Sequence, residues 1–219
     1  MQKKTIVYVD GYNLYYGLLK GTPYKWLDLV AFAQALLRAD HEIACVKYFT
    51  AYAKTYPYDE AAAERQNVYM QALGTCDEVK VIHGFFRKSN VLMPAFDADC
   101  KDCARAQDGL VRVVKLEEKK SDVNLAVEMV LDAAQNQADA YVVITGDSDQ
   151  VGAIEAVRYQ CKKPVLVFNP HTGVSIHLKK AASYYKNIPR DLPAMCQLPD
   201  EIQVGTKGNV IRRPLAWKG

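Results

Sequence analysis

Asp147 and Asp149 stand one residue apart in Thr145-Gly146-Asp147-Ser148-Asp149, directly behind the apolar run Tyr141-Val142-Val143-Ile144. Two carboxylates this close repel each other unless a cation lies between them, and hard divalent cations such as Mg2+ or Mn2+ take oxygen ligands of this kind. A third acid, Asp10, closes another apolar run, Thr5-Ile6-Val7-Tyr8-Val9, and is followed by Gly11-Tyr12-Asn13. Asn13 falls in the first turn of a helix, where an amide can reach a phosphate or hold a neighbouring carboxylate. A fourth acid, Asp122, follows Ser121 at the start of an amphipathic helix that buries Val123, Ala126, Val127, Val130 and Leu131. At 3.6 residues per turn Asp122 and Asn124 point about 200° apart, so both cannot face one ligand, while Asp122 and Glu128 differ by about 120°. Asp122 is therefore the better ligand, with Glu128 and Ser148 in the shell around the ligands. Each of these residues also has an ordinary role open to it. Asp149 can N-cap a helix over Gln150 to Cys161, Asp147 can sit in a polar turn, Asp122 can complement a helix dipole, and Asn13 can be a cap.

The elements that must position these groups are legible as an alternation. Short, β-branched apolar runs at Thr5 to Val9, Glu42 to Ala53, Val79 to Phe86, Tyr141 to Ile144 and Lys163 to Phe168 read as strands, most of them buried on both faces. Helical spacing falls between them, over Tyr12 to Leu19, Leu27 to Arg38, Asp59 to Gly74, the helix opening at Ser121, Gln150 to Cys161 and Val174 to Ala182. Val111, Val113 and Leu116 form a further short strand, and Tyr184 to Ile188 a last extended piece. This pattern predicts a three-layer α/β domain with a mainly parallel sheet, in which ligands bind beyond the carboxyl ends of the strands. The strand ends at Asp10 and Asp147 should then be neighbours. Domain boundaries are expected at about 1–190, with an irregular cysteine-bearing insertion at about 88–114, and a Pro- and Gly-rich tail over 191–219 that Trp217 could anchor.

Composition narrows the remaining choices. In the 219 residues no run approaches the ~18 apolar residues of a membrane span. The start Met1-Gln2-Lys3-Lys4 carries no signal-peptide pattern, so a cytoplasmic location without a membrane partner is expected. Six cysteines without a secretory signal point to free thiols or one local metal site. Cys100 and Cys103 form a Cys-x-x-Cys pair, half of a tetrahedral Zn2+ site; the other half would come from Cys76, His83 or a second subunit. A net charge of +3 permits nucleic acid without demanding it. Arg87, Lys88, Lys119, Lys120 and Arg158 lie beside predicted strand ends or helix starts and are candidates for contacts to flanking phosphates. Tyr15, Tyr16, Tyr24 and Trp26 lie near the same rim, where they either stack on bases or pack on the domain. No Ser, Cys or His stands beside the acids with an activating partner, so the nucleophile of any hydrolysis is water.

The order Val9-Asp10-Gly11-Tyr12-Asn13-Leu14, Glu118-Lys119-Lys120-Ser121-Asp122-Val123-Asn124-Leu125-Ala126 and Thr145-Gly146-Asp147-Ser148-Asp149 resembles the NYN family of PIN-like nucleases, related to bacterial LabA-like proteins. The resemblance covers roughly residues 3 to 190. It implies a Rossmann-like, PIN-type sheet, an acidic pocket at its carboxyl edge, and endoribonuclease activity that depends on one or two Mg2+ or Mn2+ ions. Asp10, Asp122, Asp147 and Asp149 fall where the family's metal-binding acids are, and Asn13 where its polar helper is. Glu128 stands where many relatives have Asp, Gln150 where an apolar residue is common, and the cysteine-bearing insertion is outside the family pattern. RNA rather than DNA as the partner rests on the resemblance, because nothing in the sequence reads a 2′-hydroxyl. The alternatives are a non-catalytic module of the same fold that binds RNA, a nucleotide or a protein, including a second copy of this chain, and a phosphatase or DNA nuclease using the same ions.

Overall fold

The structure is a computed structural model that describes residues 2–52, 60–94, 110–205 and 208–218. In chain order the elements are β1 (Lys3–Asp10), α1 (Gly11–Leu14), α2 (Leu29–Leu36), β2 (His41–Thr50), α3 (Glu60–Leu73), β3 (Val79–His83), β4 (Phe85–Pro94), β5 (Leu110–Lys119) and α4 (Ser121–Ala134). They continue with β6 (Ala140–Ile144), α5 (Val151–Glu155), β7 (Val165–Asn169), α6 (Ile176–Ala181), β8 (Tyr184–Asn187), α7 (Leu192–Met195), β9 (Glu201–Val204) and β10 (Asn209–Arg212).

A six-stranded sheet in the order β3-β2-β1-β6-β7-β8 forms the middle layer, and all its neighbouring strands run parallel. The expected α/β architecture is thus the one observed. Parallel strands need helical crossovers, and the crossovers cover both faces, which is why β1 from Thr5 onward and all of β6 are buried. One face carries Leu14, Trp26, Phe32, Tyr69 and Leu73. The other carries Leu125 and Met129 of α4, Ile154 of α5 and Leu178 of α6. β1 pairs with β6, with Val9 opposite Ile144, so the residues that follow both strands emerge side by side. Strand order reverses here, since β2 lies on one side of β1 and β6 on the other. Such a switch point opens a crevice at the carboxyl edge of a parallel sheet.

The face of α4 expected to be buried is in large part exposed: Val123, Val127 and Leu131 are open to solvent, and Leu125 and Met129 enter the core instead. Three further expectations change in detail. The run Val79 to Phe86 is two strands: β3 joins the large sheet, and after Gly84 the chain turns into β4, which pairs antiparallel with β5 in a separate ribbon. Gly84 permits the turn because a Cβ there would lie 2.5 Å from the Lys119 carbonyl oxygen and 2.6 Å from Ser121 Oγ. The insertion at about 88–114, expected to be irregular, is therefore ordered at both flanks, where Asn90 faces Val114 and Pro94 faces Leu110. Cys100 and Cys103, and with them the zinc expectation, lie outside the described residues. Lys120, in the left-handed conformation at φ 82°, occupies the cap position of α4 expected for Ser121, whose hydroxyl is buried without a hydrogen-bond partner.

Beyond Pro189 the chain packs back on the domain. Trp26 Nε1 donates to the Pro199 carbonyl at 2.8 Å, and the Leu198 amide donates to the Trp26 carbonyl at 2.9 Å. β9 and β10 form a hairpin, after which Trp217, 9 % exposed, reaches Trp26 and Tyr69 with ring centroids 6.3 and 6.1 Å away. The anchoring role expected for Trp217 is observed. Removing a large aromatic from such a position costs about 3 kcal/mol. Trp217→Ala is expected to lower the urea-unfolding free energy by about that amount, whereas Leu215→Ala, at a side chain 83 % exposed, leaves it unchanged. Equal stability of both variants and the wild type would show that the terminal segment does not dock.

Candidate active site

Asp10 ends β1 and caps α1, and its carboxylate is held from three directions. Oδ1 accepts from the Asn13 amide N–H at 3.0 Å; Oδ2 accepts from Asn13 Nδ2 at 2.7 Å and from the Thr145 hydroxyl at 2.9 Å. With about two lone pairs per oxygen, Oδ2 is saturated and Oδ1 keeps one direction free. Thr145 Oγ1 also accepts from the Asp147 amide at 3.0 Å, so one hydroxyl joins Asp10 to the backbone of Asp147. Asp147 in turn accepts from the Asp149 amide at 3.0 Å and caps the single turn Ser148–Gln150. The helix-cap role is thus filled by Asp147, which leaves the Asp149 carboxylate exposed.

Asn13 is spent on positioning. Its Oδ1 accepts from the Gly146 N–H at 3.1 Å, which fixes the amide orientation, because a flipped amide would set an N–H against an N–H. His171 Nε2 lies 3.0 Å from the same oxygen and must therefore carry its proton there. His171 is itself placed by Asn169, whose Oδ1 accepts from the His171 amide at 2.9 Å. Gly146 is required by this packing, since a Cβ would fall 2.7 Å from Asn169 Oδ1 and collide with the His171 ring.

Asp122 stands at the start of α4, and Gln150, buried, donates its side-chain amide to the Asp122 carbonyl at 3.2 Å, tying α4 to the turn after β6. Burial of one side of the Asp122 carboxyl, followed by the negative charges of Asp10, Glu118, Asp147 and Asp149, pushes its pKa up to about 6. Burial also raises the Asp10 pKa, against its hydrogen bonds from Asn13 and Thr145 and with a contribution from Asp147. The four expected acids therefore share one electrostatic environment, and Glu118 joins them.

Other expected residues take different places. Glu128 accepts from Lys47 Nζ at 2.6 Å on the α4 face of the sheet, where Lys47 also reaches Asp132, and it is absent from the charges that bear most on Asp122. A buried ammonium needs such partners, so Glu128 serves Lys47 and is not in the shell around the acids. Ser148 is exposed beside Asp147. Arg158 donates its guanidinium to the Lys180 and Ala181 carbonyls at the end of α6, which removes it from the phosphate-contact set. Lys119 pairs with Glu117 at 3.3 Å and Lys120 lies 5.3 Å from the centre of the Phe85 ring, while Arg87 and Lys88 are exposed on β4. Cys76 donates to Glu78, and His83 stacks on Tyr52 with centroids 4.3 Å apart. Thr145, Glu118 and His171 were not singled out in the sequence. The first two lie inside the quoted motifs, and only the hydrogen-bond geometry separates them from their neighbours.

An all-oxygen set of carboxylates whose charges oppose one another has the donor chemistry of a Mg2+ or Mn2+ site. Among the described residues, however, no three Asp, Glu, His or Cys side chains are grouped so as to hold an ion by themselves. The fit is to a hydrated ion gripped by one or two carboxylates, the usual state of Mg2+, and not to a closed protein cage.

A parallel α/β sheet with an acidic crevice at its switch point is the PIN-like class of fold. The chain belongs to the NYN domain family, whose model matches residues 4–189. A curated relative from Pseudomonas putida, named 6-hydroxy-3-succinoylpyridine 3-monooxygenase, is 30 % identical over 99 % of this chain and 76 % of its own length. A solved structure of a protein of unknown function from Vibrio parahaemolyticus shares the fold with a TM-score of 0.51 and 19 % identity, over 87 % of this chain and 95 % of that one. No helix among the described residues is long and apolar enough to cross a membrane.

Because Asp122 binds its proton more tightly folded than unfolded, its stabilising contribution is complete below pH 3.8 and is lost as the pH rises through about 6. Asp122→Asn removes that repulsion. In chelator at pH 7.5 the variant is expected to be more stable than the wild type by about 1 kcal/mol, discounted for solvent screening, with the difference vanishing near pH 4. Denaturant melts at the two pH values check this; a variant less stable at pH 7.5 would contradict the crowding of charges.

Proposed function

We propose that the chain is a metal-dependent endoribonuclease that hydrolyses RNA phosphodiesters with water as the nucleophile. The observation that carries the reading is the convergence of Asp10, Asp122, Asp147 and Asp149 beyond β1 and β6 of an NYN domain. Asp10, Asp147 and Asp149 would hold one or two hydrated Mg2+ or Mn2+ ions, one or two of these carboxylates binding directly and the rest through bound water, with Asp122 in the ligand shell or orienting the attacking water. The chemistry such an ion supplies when bound is a water of lowered pKa and neutralisation of charge on the phosphate. Asn13 and Thr145 offset part of the burial that raises the Asp10 pKa and aim its carboxylate, with one open lone pair on Oδ1. His171 and Gly146 hold Asn13 in the required orientation. Arg87 and Lys88, exposed on the ribbon, would contact flanking phosphates.

A second reading has the site act on a small heteroaromatic acid, favoured by the name of the Pseudomonas putida relative and its match across almost the whole chain. One experiment tests the first reading. Purified protein is incubated with mixed RNA and with matched single-stranded DNA, in Mn2+ or in chelator, beside an Asp147→Asn variant. The nuclease reading predicts metal-dependent RNA cleavage that falls at least about a hundredfold in the variant. Because water and not the 2′-hydroxyl attacks, the products carry no 2′,3′-cyclic phosphate. RNA left intact in Mn2+, or cleaved equally by the variant, overturns it.

A further inference from the structure

A band of aromatic rings follows the carboxyl edge of the sheet, starting two residues after Asp10. Tyr16 lies one helical turn beyond Asn13 and is 58 % exposed, with its ring nearly parallel to that of Tyr12 and the centroids 6.4 Å apart. Tyr12 stands edge-on to Phe86 of β4 at 5.9 Å, and its hydroxyl donates to the Ala51 carbonyl at 3.2 Å. The next residue, Tyr52, is 52 % exposed and lies flat on the exposed ring of His83, with centroids 4.3 Å apart and planes 12° from parallel. The band therefore passes from the end of β1 by the end of β2 to the end of β3, which is the order of the strands in the sheet. Asp10 pairs in register with Phe49, and three residues, at most about 10 Å of chain, separate Phe49 from Tyr52. Behind the band is a cavity of about 490 Å³, lined by Tyr12, Tyr16 and Phe86, by Leu116 of β5 and by Trp217 of the docked terminal segment.

Tyrosine rings gain by burial, and Tyr8, Tyr48, Tyr69 and Tyr141 of this chain are buried. Tyr16 and Tyr52 stay open at the rim of the acids while a second ring fixes the orientation of each. Cations accompany them. The Lys20 ammonium lies 4.8 Å from the centre of the Tyr16 ring. Lys88, exposed and two residues from Phe86, is on the same face of the β4–β5 ribbon by the alternation of a strand, while Glu118, opposite Phe86, belongs with the acids around Asp122. Rings in series with cations beside them suit an unpaired nucleic-acid strand, whose bases stack on aromatic faces whatever their identity and whose phosphates need neutralising. A duplex keeps its base faces inside its own stack and cannot use the rings.

We propose that Tyr52, backed by His83, and Tyr16 are stacking platforms for unpaired bases of the RNA, with Lys20 and Lys88 at the phosphates beside them. The inference deepens the nuclease reading and rests on it. It assigns the path of the strand, along the ends of β1, β2 and β3 to the acids, and it makes the grip on the strand depend on base faces and not on base identity.

The test is fluorescence anisotropy on the full chain in chelator, so that no strand is cut. The probes are a labelled uridine strand of about 12 nucleotides, a ribose-phosphate strand of equal length without bases, and the uridine strand paired with its complement. Saturable binding of the uridine strand is expected, about tenfold or more tighter than that of the baseless strand or the duplex. Tyr52→Ala and Tyr16→Ala each weaken it about tenfold, two variants chosen so that a folding defect in one leaves the other informative, while Tyr52→Phe, which keeps the ring, binds as the wild type. Tyr184→Ala, at an exposed ring on the β8 edge of the sheet, leaves binding unchanged. Lys88→Met lowers the slope of log affinity against log salt by about one. No saturable binding, equal binding of the uridine and baseless strands, or wild-type binding by both alanine variants overturns the inference, and it does so without touching the nuclease reading where RNA is still cleaved in Mn2+. Base-dependent binding through Tyr52 and Tyr16 by a protein that leaves RNA intact in Mn2+ upholds the platforms and overturns the hydrolysis alone.

Discussion

The site depends on one constraint: like charges are brought together where burial already disfavours charge. Parallel pairing of β1 with β6 brings Asp10 and Asp147 side by side, and α4 adds Asp122 from the facing layer. Asp10 is answered with fixed hydrogen bonds from the Asn13 backbone, the Asn13 amide and the Thr145 hydroxyl. Among the described residues no such set of donors reaches Asp122, and its pKa rises to about 6. Burial raises the proton affinity of both carboxylates, one of them held by fixed hydrogen bonds, and such perturbed groups cluster at functional sites. Every further feature of the pocket follows from holding these groups in place, from the tautomer of His171 to the missing Cβ of Gly146.

Much of the frame was legible because buried parallel strands are short, apolar and β-branched, and because strand ends in such sheets carry the ligand groups. Asp10 and Asp147 were readable as neighbours for that reason. What escaped was decided by backbone geometry and by partners distant in sequence. The run from Val79 to Phe86 has no break in hydrophobicity, so the bend at Gly84 shows only once Lys119 and Ser121 are seen to crowd it. Ser121 has the composition of a cap, yet Lys120 takes the left-handed turn. Glu128 has the sequence position of a ligand-shell acid, but the buried ammonium of Lys47 on β2 claims it. Thr145 and His171 were invisible as site residues because their roles are to bridge two strands and to orient an amide.

The terminal segment connects fold and site. Its docking through Trp26, Tyr69 and Trp217 completes a face of the core and one wall of the aromatic cavity. The β4–β5 ribbon, outside the large sheet, supplies Phe86 and Leu116 to the same cavity. Both elements lie apart from the six-stranded sheet.

The most direct measurement of the central claim is Mn2+ binding followed by electron paramagnetic resonance, which distinguishes free hydrated Mn2+ from protein-bound ion. The account predicts saturable binding to the wild type at neutral pH that weakens steeply as the pH falls below about 6 and is lost in Asp10→Asn. A spectrum of free ion throughout, or the same binding in Asp10→Asn as in the wild type, would contradict it.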